Sequence, residues 1–156
     1  MDTIDRQLLA LLQENCRLSY NELGKQVGLS VSAVNERLKK MQATGIIRGN
    51  VALVSPHAVG LDLCAFVQVL TDRPKNEPAV INRIREMREV LECHHITGEF
   101  SYLLKIRTRN TEHFETLVQQ IKSLPGVTRT YTLVVLSSPK ETTVMPLYDR
   151  EPQANA

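Results

Sequence analysis

Apolar residues recur along this chain with two different periods, and the change from one to the other divides it. Over the first 45 residues the spacing is three and four. Ile4, Leu8, Leu11 and Leu12 fall at i, i+4, i+7 and i+8, one face of a helix. Asp2 or Thr3 can cap that helix, Asp2 and Asp5 suit its N-terminal dipole, and the pattern predicts an end near Asn15. Ser19 followed by Glu22 is a capping box, in which each side chain can bond the other residue's amide. It predicts a short helix over 20–27, stopped at Gly28, where a left-handed residue is wanted. Ser30 is a second N-cap, and Val31, Val34, Leu38 and Met41 form the apolar stripe of a third helix, which Gly45 ends.

After Gly45 the period shortens. Residues 46–54 are β-rich around Gly49-Asn50, which predicts either a short wing or a strand leading out of the first domain. Ser55-Pro56-His57 and Gly60 break the pattern, so the linker is placed at 50–61. Leu63 to Leu70 reads as a buried strand, and 72–78 as a polar loop with two prolines. Val80, Ile84, Met87 and Leu91 then sit at helical spacing, with Ile81 beside them. Val90 to Thr97 and Tyr102 to Arg107 read as strands around a turn at 98–101. Phe114, Leu117, Val118, Ile121 and Leu124 mark another helix, stopped by Pro125-Gly126, before a strand from Val127 to Leu136. Val144 to Leu147 can add an edge strand, and 149–156 reads as a mobile tail.

The predicted class is therefore α+β. A winged helix-turn-helix domain at 1–49 precedes a ferredoxin-like βαββαβ domain with an antiparallel sheet at 62–147, and a tail follows at 148–156. Both helices of the second domain would cover one sheet face, and another subunit is the expected cover of the other.

Helix, glycine-containing turn, helix is also a chemical statement. The third helix, 31–44, carries Ser32, Asn35, Glu36, Arg37, Lys39 and Lys40 off its buried stripe. Ser30, Ser32, Asn35 and Glu36 can bond base edges or phosphates near the helix start, whereas Arg37, Lys39, Lys40 and Arg48 can neutralise phosphate. That is what a recognition helix needs in a major groove. An ordinary helical hairpin with a solvated face is the plainer alternative. Arg37 can equally brace the domain through an acidic residue, and Arg48 can be a solvent-facing arginine at a turn.

Charge and composition sharpen this picture. The net charge is +2, with seven Lys/Arg against five Asp/Glu in residues 1–50 and twelve of each beyond, so the whole excess lies in the helical half. Aromatics are 4% with no Trp, too few for stacking unpaired bases, which favours duplex over single strands. Cys16, Cys64 and Cys93 show no paired spacing, and no signal peptide or spanning run is evident, so a soluble, cytoplasmic protein is expected. Cys93-His94-His95 offers at most two ligands on one strand face, and His57 and His113 do not complete a metal set. There is no nucleophile elbow and no phosphate-cradling glycine loop, and no cofactor is implied.

The motifs Asp2-Thr-Ile-Asp5, Glu22-Leu23-Gly24, Val27-Gly28-Leu29-Ser30, Arg37-Leu38 and Gly45-Ile46-Ile47 appear in this order. Thr97-Gly98-Glu99-Phe100-Ser101-Tyr102-Leu103-Leu104, Leu124-Pro125-Gly126-Val127 and Thr132 with Val134-Val135-Leu136 follow. Together they make the chain resemble the Lrp/AsnC, or feast/famine, transcriptional regulators over roughly residues 2–147. The resemblance implies a first domain that binds duplex DNA and a second that binds an effector, usually an amino acid. It implies dimers that assemble into tetramers or octamers; no membrane partner is expected, since no apolar run is long enough to span one. It places the effector on Thr97, Gly98, Glu99, Ser101 and Tyr102 of the loop and Thr130, Thr132 and Val134 of the last strand.

One position departs from that family. Its members commonly carry Gly-x-x-Asp-Tyr in this loop, and Ser101 stands where the aspartate would. A serine can bond an ammonium group but cannot neutralise it. Three outcomes stay open: Glu99 supplies the charge, the effector differs, or none binds. Two further readings share the fold. Sirohaem decarboxylases resemble the same family and would recruit His94, His95, Arg107 and Arg129. A metabolite-sensing assembly protein would no longer touch DNA.

Overall fold

The computed structural model describes residues 1–72 and 76–148. The chain divides into two compact units, Met1–Ala52 with the stretch from Lys140 on, and Leu53–Pro139.

The first unit holds α1 (Thr3–Glu14), α2 (Tyr20–Val27) and α3 (Val31–Ala43). Local signals place all three. Asp2 and Asp5 form an acidic capping box, each carboxylate accepting the other's amide at 2.8 and 3.0 Å. Ser19 and Glu22 repeat the motif at 3.2 and 2.7 Å. Gly28 ends α2 at φ 71°. Leu8, Leu9, Leu23, Val34, Leu38 and Met41 make the core, with Ile4, Leu12, Val27 and Ile47 packed around it. Val31 departs from the expected stripe: it lies in the first turn of α3 and is exposed.

Two expected strands are absent among the described residues. Residues 46–54 form neither a wing nor a strand, and Val51, Leu53 and Val54 are exposed. A strand needs a ladder partner, and this stretch has none among the described residues. A single 3₁₀ turn, His57–Val59, follows. Val144 to Leu147 likewise adds no edge strand, and it belongs to the first unit although the expected second domain ran to 147. The Gln13 carboxamide takes both backbone groups of Met145, accepting from its amide at 2.7 Å and donating to its carbonyl at 3.1 Å. Leu147 packs against the helical core. One side chain thus satisfies the residue that a ladder would otherwise have paired. The expected mobile tail from 149 lies outside the described residues.

The second unit is β1 (Leu63–Thr71), α4 (Glu77–Glu86), β2 (Val90–His95), β3 (Tyr102–Thr108), α5 (Thr111–Lys122) and β4 (Val127–Val134). The strands pair antiparallel in the order β2-β3-β1-β4. The helix expected to reach Leu91 stops at Glu86. Met87 is already extended, and Leu91 is an exposed strand residue. Alternation sorts the sheet faces. Ala65, Val67, Val69, Leu104 and Ile106 are buried, and Val67, Val69, Leu104 and Ile106 share one core with Val80 and Ile84 of α4 and Leu117, Val118 and Ile121 of α5. The register puts Phe66, Gln68, Leu70, Leu103, Arg129, Tyr131 and Leu133 on the opposite face.

Candidate functional site

The polar face of α3 depends on how tightly α2 and α3 approach. The Leu29 amide bonds the Gly24 carbonyl at 2.9 Å. A Cβ on Gly24 would lie 2.5 Å from the Leu29 carbonyl oxygen, so only glycine fits. The sequence reading missed this role. The signal was present, because a glycine inside a helix costs stability and needs a packing reason.

Ser30 caps α3, its hydroxyl accepting from the Ala33 amide at 3.2 Å and lying 3.0 Å from the Ser32 hydroxyl. Ser32, Asn35, Glu36, Lys39 and Lys40 then fall at i, i+3, i+4, i+7 and i+8, one continuous outward stripe. Ser32, Glu36, Lys39 and Lys40 are exposed and Asn35 is half-buried; Arg48 is exposed at the turn beyond. Arg37 does not join them. Its guanidinium lies 2.6 Å from Asp2 and 2.7 Å from Asp5, tying α3 to the start of α1. These bonds raise its pKa. That of Asp2 is lowered, first by the Asp5 amide and then by Arg37. Of the two roles open for Arg37, the structure takes the brace.

In the second unit, the loop between β2 and β3 straddles the sheet. Its backbone is pinned by Ser101, whose amide donates to Val69 at 3.0 Å and whose carbonyl accepts from Ile96 at 3.0 Å. Gly98 supplies a positive φ of 113°. The predicted effector residues separate across the loop. The Ser101 hydroxyl is 3.0 Å from that of Thr71, Thr71 donates to one Glu77 oxygen at 3.0 Å, and Tyr102 donates to the other at 3.1 Å. Ser101 and Tyr102 are thus committed to an internal chain that ends on Glu77. Burial, and then the Glu77 hydrogen bond, raise the Tyr102 pKa. Thr132 and Val134 pair with Val67 and Ala65 and share their sheet side.

Glu99 turns the other way. It forms an ion pair with Arg129, whose guanidinium carbon stands 4.9 Å from the centroid of Phe100, and Phe100 lies 6.3 Å from Tyr131. With Gln68 and Thr130 these residues line an open cleft of about 340 Å³. Arg129, Phe100, Gln68 and Tyr131 were not among the expected effector residues. Of the expected residues, Glu99 and Thr130 line the cleft, whereas Thr132 and Val134 do not, and Arg129 and Tyr131 come from the other face of the same strand. A larger depression of about 680 Å³ runs along α5, but Glu112, Glu115, Thr116 and the amides that line it offer neither a cation nor a ring.

The residues named for other chemistry do not converge. His95 stacks on Tyr102 at 5.1 Å, whereas His94 pairs with Glu92 at 3.1 Å on the opposite side of β2. Among the described residues no group of His, Cys, Asp or Glu is arranged to hold a metal, and no helix is long and apolar enough to cross a membrane.

Comparison with known proteins separates the same two parts, but it assigns residues 140–145, which pack with the first unit, to the second domain. Residues 1–42 match the AsnC-type helix-turn-helix domain, and residues 64–145 match the Lrp/AsnC ligand binding domain. An HTH-type transcriptional regulator of Pyrococcus abyssi is 35% identical, covering 94% of this chain and 97% of its own. The proline dehydrogenase transcriptional activator of Rhizobium radiobacter is 40% identical, over 91% and 93% of the two chains. A transcriptional regulator of Neisseria meningitidis, solved as a complex with L-Met, superposes with a TM-score of 0.89 at 36% identity, over 94% and 96%. These relatives are named as regulators, and the matched family is regulatory rather than enzymatic, which removes the sirohaem decarboxylase alternative.

Proposed function

This chain belongs to the Lrp/AsnC family of DNA-binding transcriptional regulators, and on that premise we propose that α3 reads duplex DNA through Ser32, Asn35 and Glu36. Lys39, Lys40 and Arg48 contact the phosphates. Ser30 caps the helix beside them, and Arg37 ties it to the start of α1. The observation that carries this reading is the continuous polar stripe on a helix capped at its N-terminus and seated by Gly24. Base-edge donors and acceptors lie near the start of the helix and lysines follow, the order that groove insertion requires.

The second unit is proposed to bind a small effector and to assemble the protein. Two chains would pair through the sheet faces that carry Phe66, Leu103 and Leu133, giving a dimer that associates further. Two-fold pairing would present two α3 helices to two half-sites. The regulator of Neisseria meningitidis was solved with L-Met, which supports an amino acid as effector here. The proposed division of labour keeps DNA contact in 1–49 and effector and assembly functions in 62–147, joined by the linker at 50–61. A cytoplasmic location follows from this role.

Light scattering coupled to size exclusion, with a parallel DNA titration, tests the proposal. A discrete oligomer whose DNA affinity changes with one amino acid supports it. A monomer that retards no duplex contradicts it. The effector can act only through a difference in affinity between two assembly states, so a ligand that binds both equally would leave DNA binding unchanged.

A further inference from the structure

We propose that Val31 reads the 5-methyl group of a thymine in the major groove, beside the base that Asn35 contacts. This rests on the reading of α3 given above and adds an apolar contact to it. Among the described residues of α3, Val31 is the one large apolar side chain left exposed, at 49%. The helical core takes Val34, Leu38 and Met41 from the same helix, and Val31 is not part of it. A β-branched residue gives up rotamer freedom in a helix, and here no core packing offsets that cost.

Its position fits a base contact. Val31 is the first residue of α3, between Ser30 and Ser32. The Ser30 hydroxyl accepts from the Ala33 amide at 3.2 Å and lies 3.0 Å from the Ser32 hydroxyl. The two hydroxyls thus have partners within the turn, and the exposed group between them is apolar. Asn35 follows four residues later on the same flank of the helix. Four residues advance about 6 Å along the axis, close to two base-pair steps of about 3.4 Å. An asparagine suits adenine, whose N6 and N7 it can bond together. The thymine methyl is the apolar feature of the major-groove edges, and G·C pairs display none. The β-branch already holds the Val31 side chain near one rotamer, so little freedom is lost when it packs on that methyl. Each half-site is therefore expected to hold a thymine within about two base pairs of the base that Asn35 reads.

The test uses the full chain and the duplex that wild type selects from a random-sequence library. Each thymine of the half-site is replaced in turn by deoxyuridine, which removes the methyl and keeps the pairing edge, and binding is followed by fluorescence anisotropy. Wild type is expected to lose about 4-fold in affinity at one thymine, and about 15-fold when both half-sites carry the change. Val31→Ser should bind the thymine and deoxyuridine duplexes alike, with a thermal midpoint close to that of wild type, whereas Val31→Ile should keep the discrimination. Asn35→Ala should also keep it while changing the preference at the neighbouring base. Three results overturn the contact and leave the reading of α3 standing. One is a half-site with no thymine within about two base pairs of the position that Asn35→Ala alters. Another is no loss at any thymine in wild type. The third is equal discrimination in wild type and Val31→Ser. An enriched sequence that neither Val31→Ser nor Asn35→Ala alters contradicts the reading of α3 itself.

Discussion

The Arg37 guanidinium lies 2.7 Å from the Asp5 carboxylate, so a cation of the third helix is spent on the first turn of α1. It ties two helices together, and Lys39, Lys40 and Arg48 are the cations proposed for the phosphates. The two kinds of cation should separate in experiment. Arg37→Ala should lower the thermal midpoint of the helical unit, whereas Lys40→Ala should leave it nearly unchanged. In salt-dependent DNA titrations Lys40→Ala should reduce the log–log slope by about 1, similarly on all sequences. Arg37→Ala should leave the slope as it is at temperatures where the chain stays folded. A slope lowered by Arg37→Ala would place that residue on the phosphate.

Gly24→Ala should be among the more damaging single changes in the first unit. The added methyl meets a backbone oxygen that cannot move without opening the turn. The expected cost is about 1–3 kcal/mol, read from urea unfolding followed by circular dichroism. Duplex affinity should fall with it, because the turn sets the angle of α3. An unchanged midpoint would mean that the turn relaxes freely.

What could be read in advance follows from how local each determinant is. The Asp2, Ser19 and Ser30 caps and the Gly28 stop act over three or four residues, and the structure places them where the spacing did. The fate of 46–54 and of 144–147 depends on partners far away in the sequence. Val51 and Leu53 have strand propensity and no ladder, and Met145 is claimed by Gln13, 132 residues before it. The cleft was legible only in part: Glu99 and Thr130 line it, but its Arg129 and Tyr131 lie on the other strand face. On β4, Arg129 and Tyr131 alternate with Thr130 and Thr132, and polar residues occupy both sides of this edge strand. Periodicity could not say which set lies beside Glu99.

Acid should weaken the helical unit. Asp2 and Glu22 titrate below their ordinary values, Asp2 first through the Asp5 amide and Glu22 first through the Ser19 hydroxyl. The folded chain therefore binds fewer protons than the unfolded chain near about pH 4. Their stabilisation is complete above the ordinary carboxylate value and is lost as pH falls through the lower folded one. Urea midpoints taken between pH 7 and pH 3 should drop less in an Asp2→Asn, Glu22→Gln double variant than in wild type. Parallel curves would show that other carboxylates govern the acid response.

The stretch from Lys140 should contribute to the stability of the helical unit. Leu147→Ala removes a half-buried side chain from that core, at a cost of about 1–2 kcal/mol. Gln13→Ala leaves the Met145 amide and carbonyl to water, at about 0.5–1.5 kcal/mol. Chemical unfolding of both variants, followed by circular dichroism, checks these values. Midpoints equal to wild type in both would mean that the segment adds nothing to the fold.

Selection of bound duplexes from a random-sequence library, run on wild type and on Asn35→Ala, is the most direct test of α3 as the reading helix. Wild type should enrich two-fold related half-sites whose centres lie about one helical turn, or a multiple of it, apart. Asn35→Ala should keep that spacing and change the base preference at one position in each half-site, by about 1–3 kcal/mol of discrimination. No enrichment by wild type, or the same enriched sequence from both proteins, would contradict it.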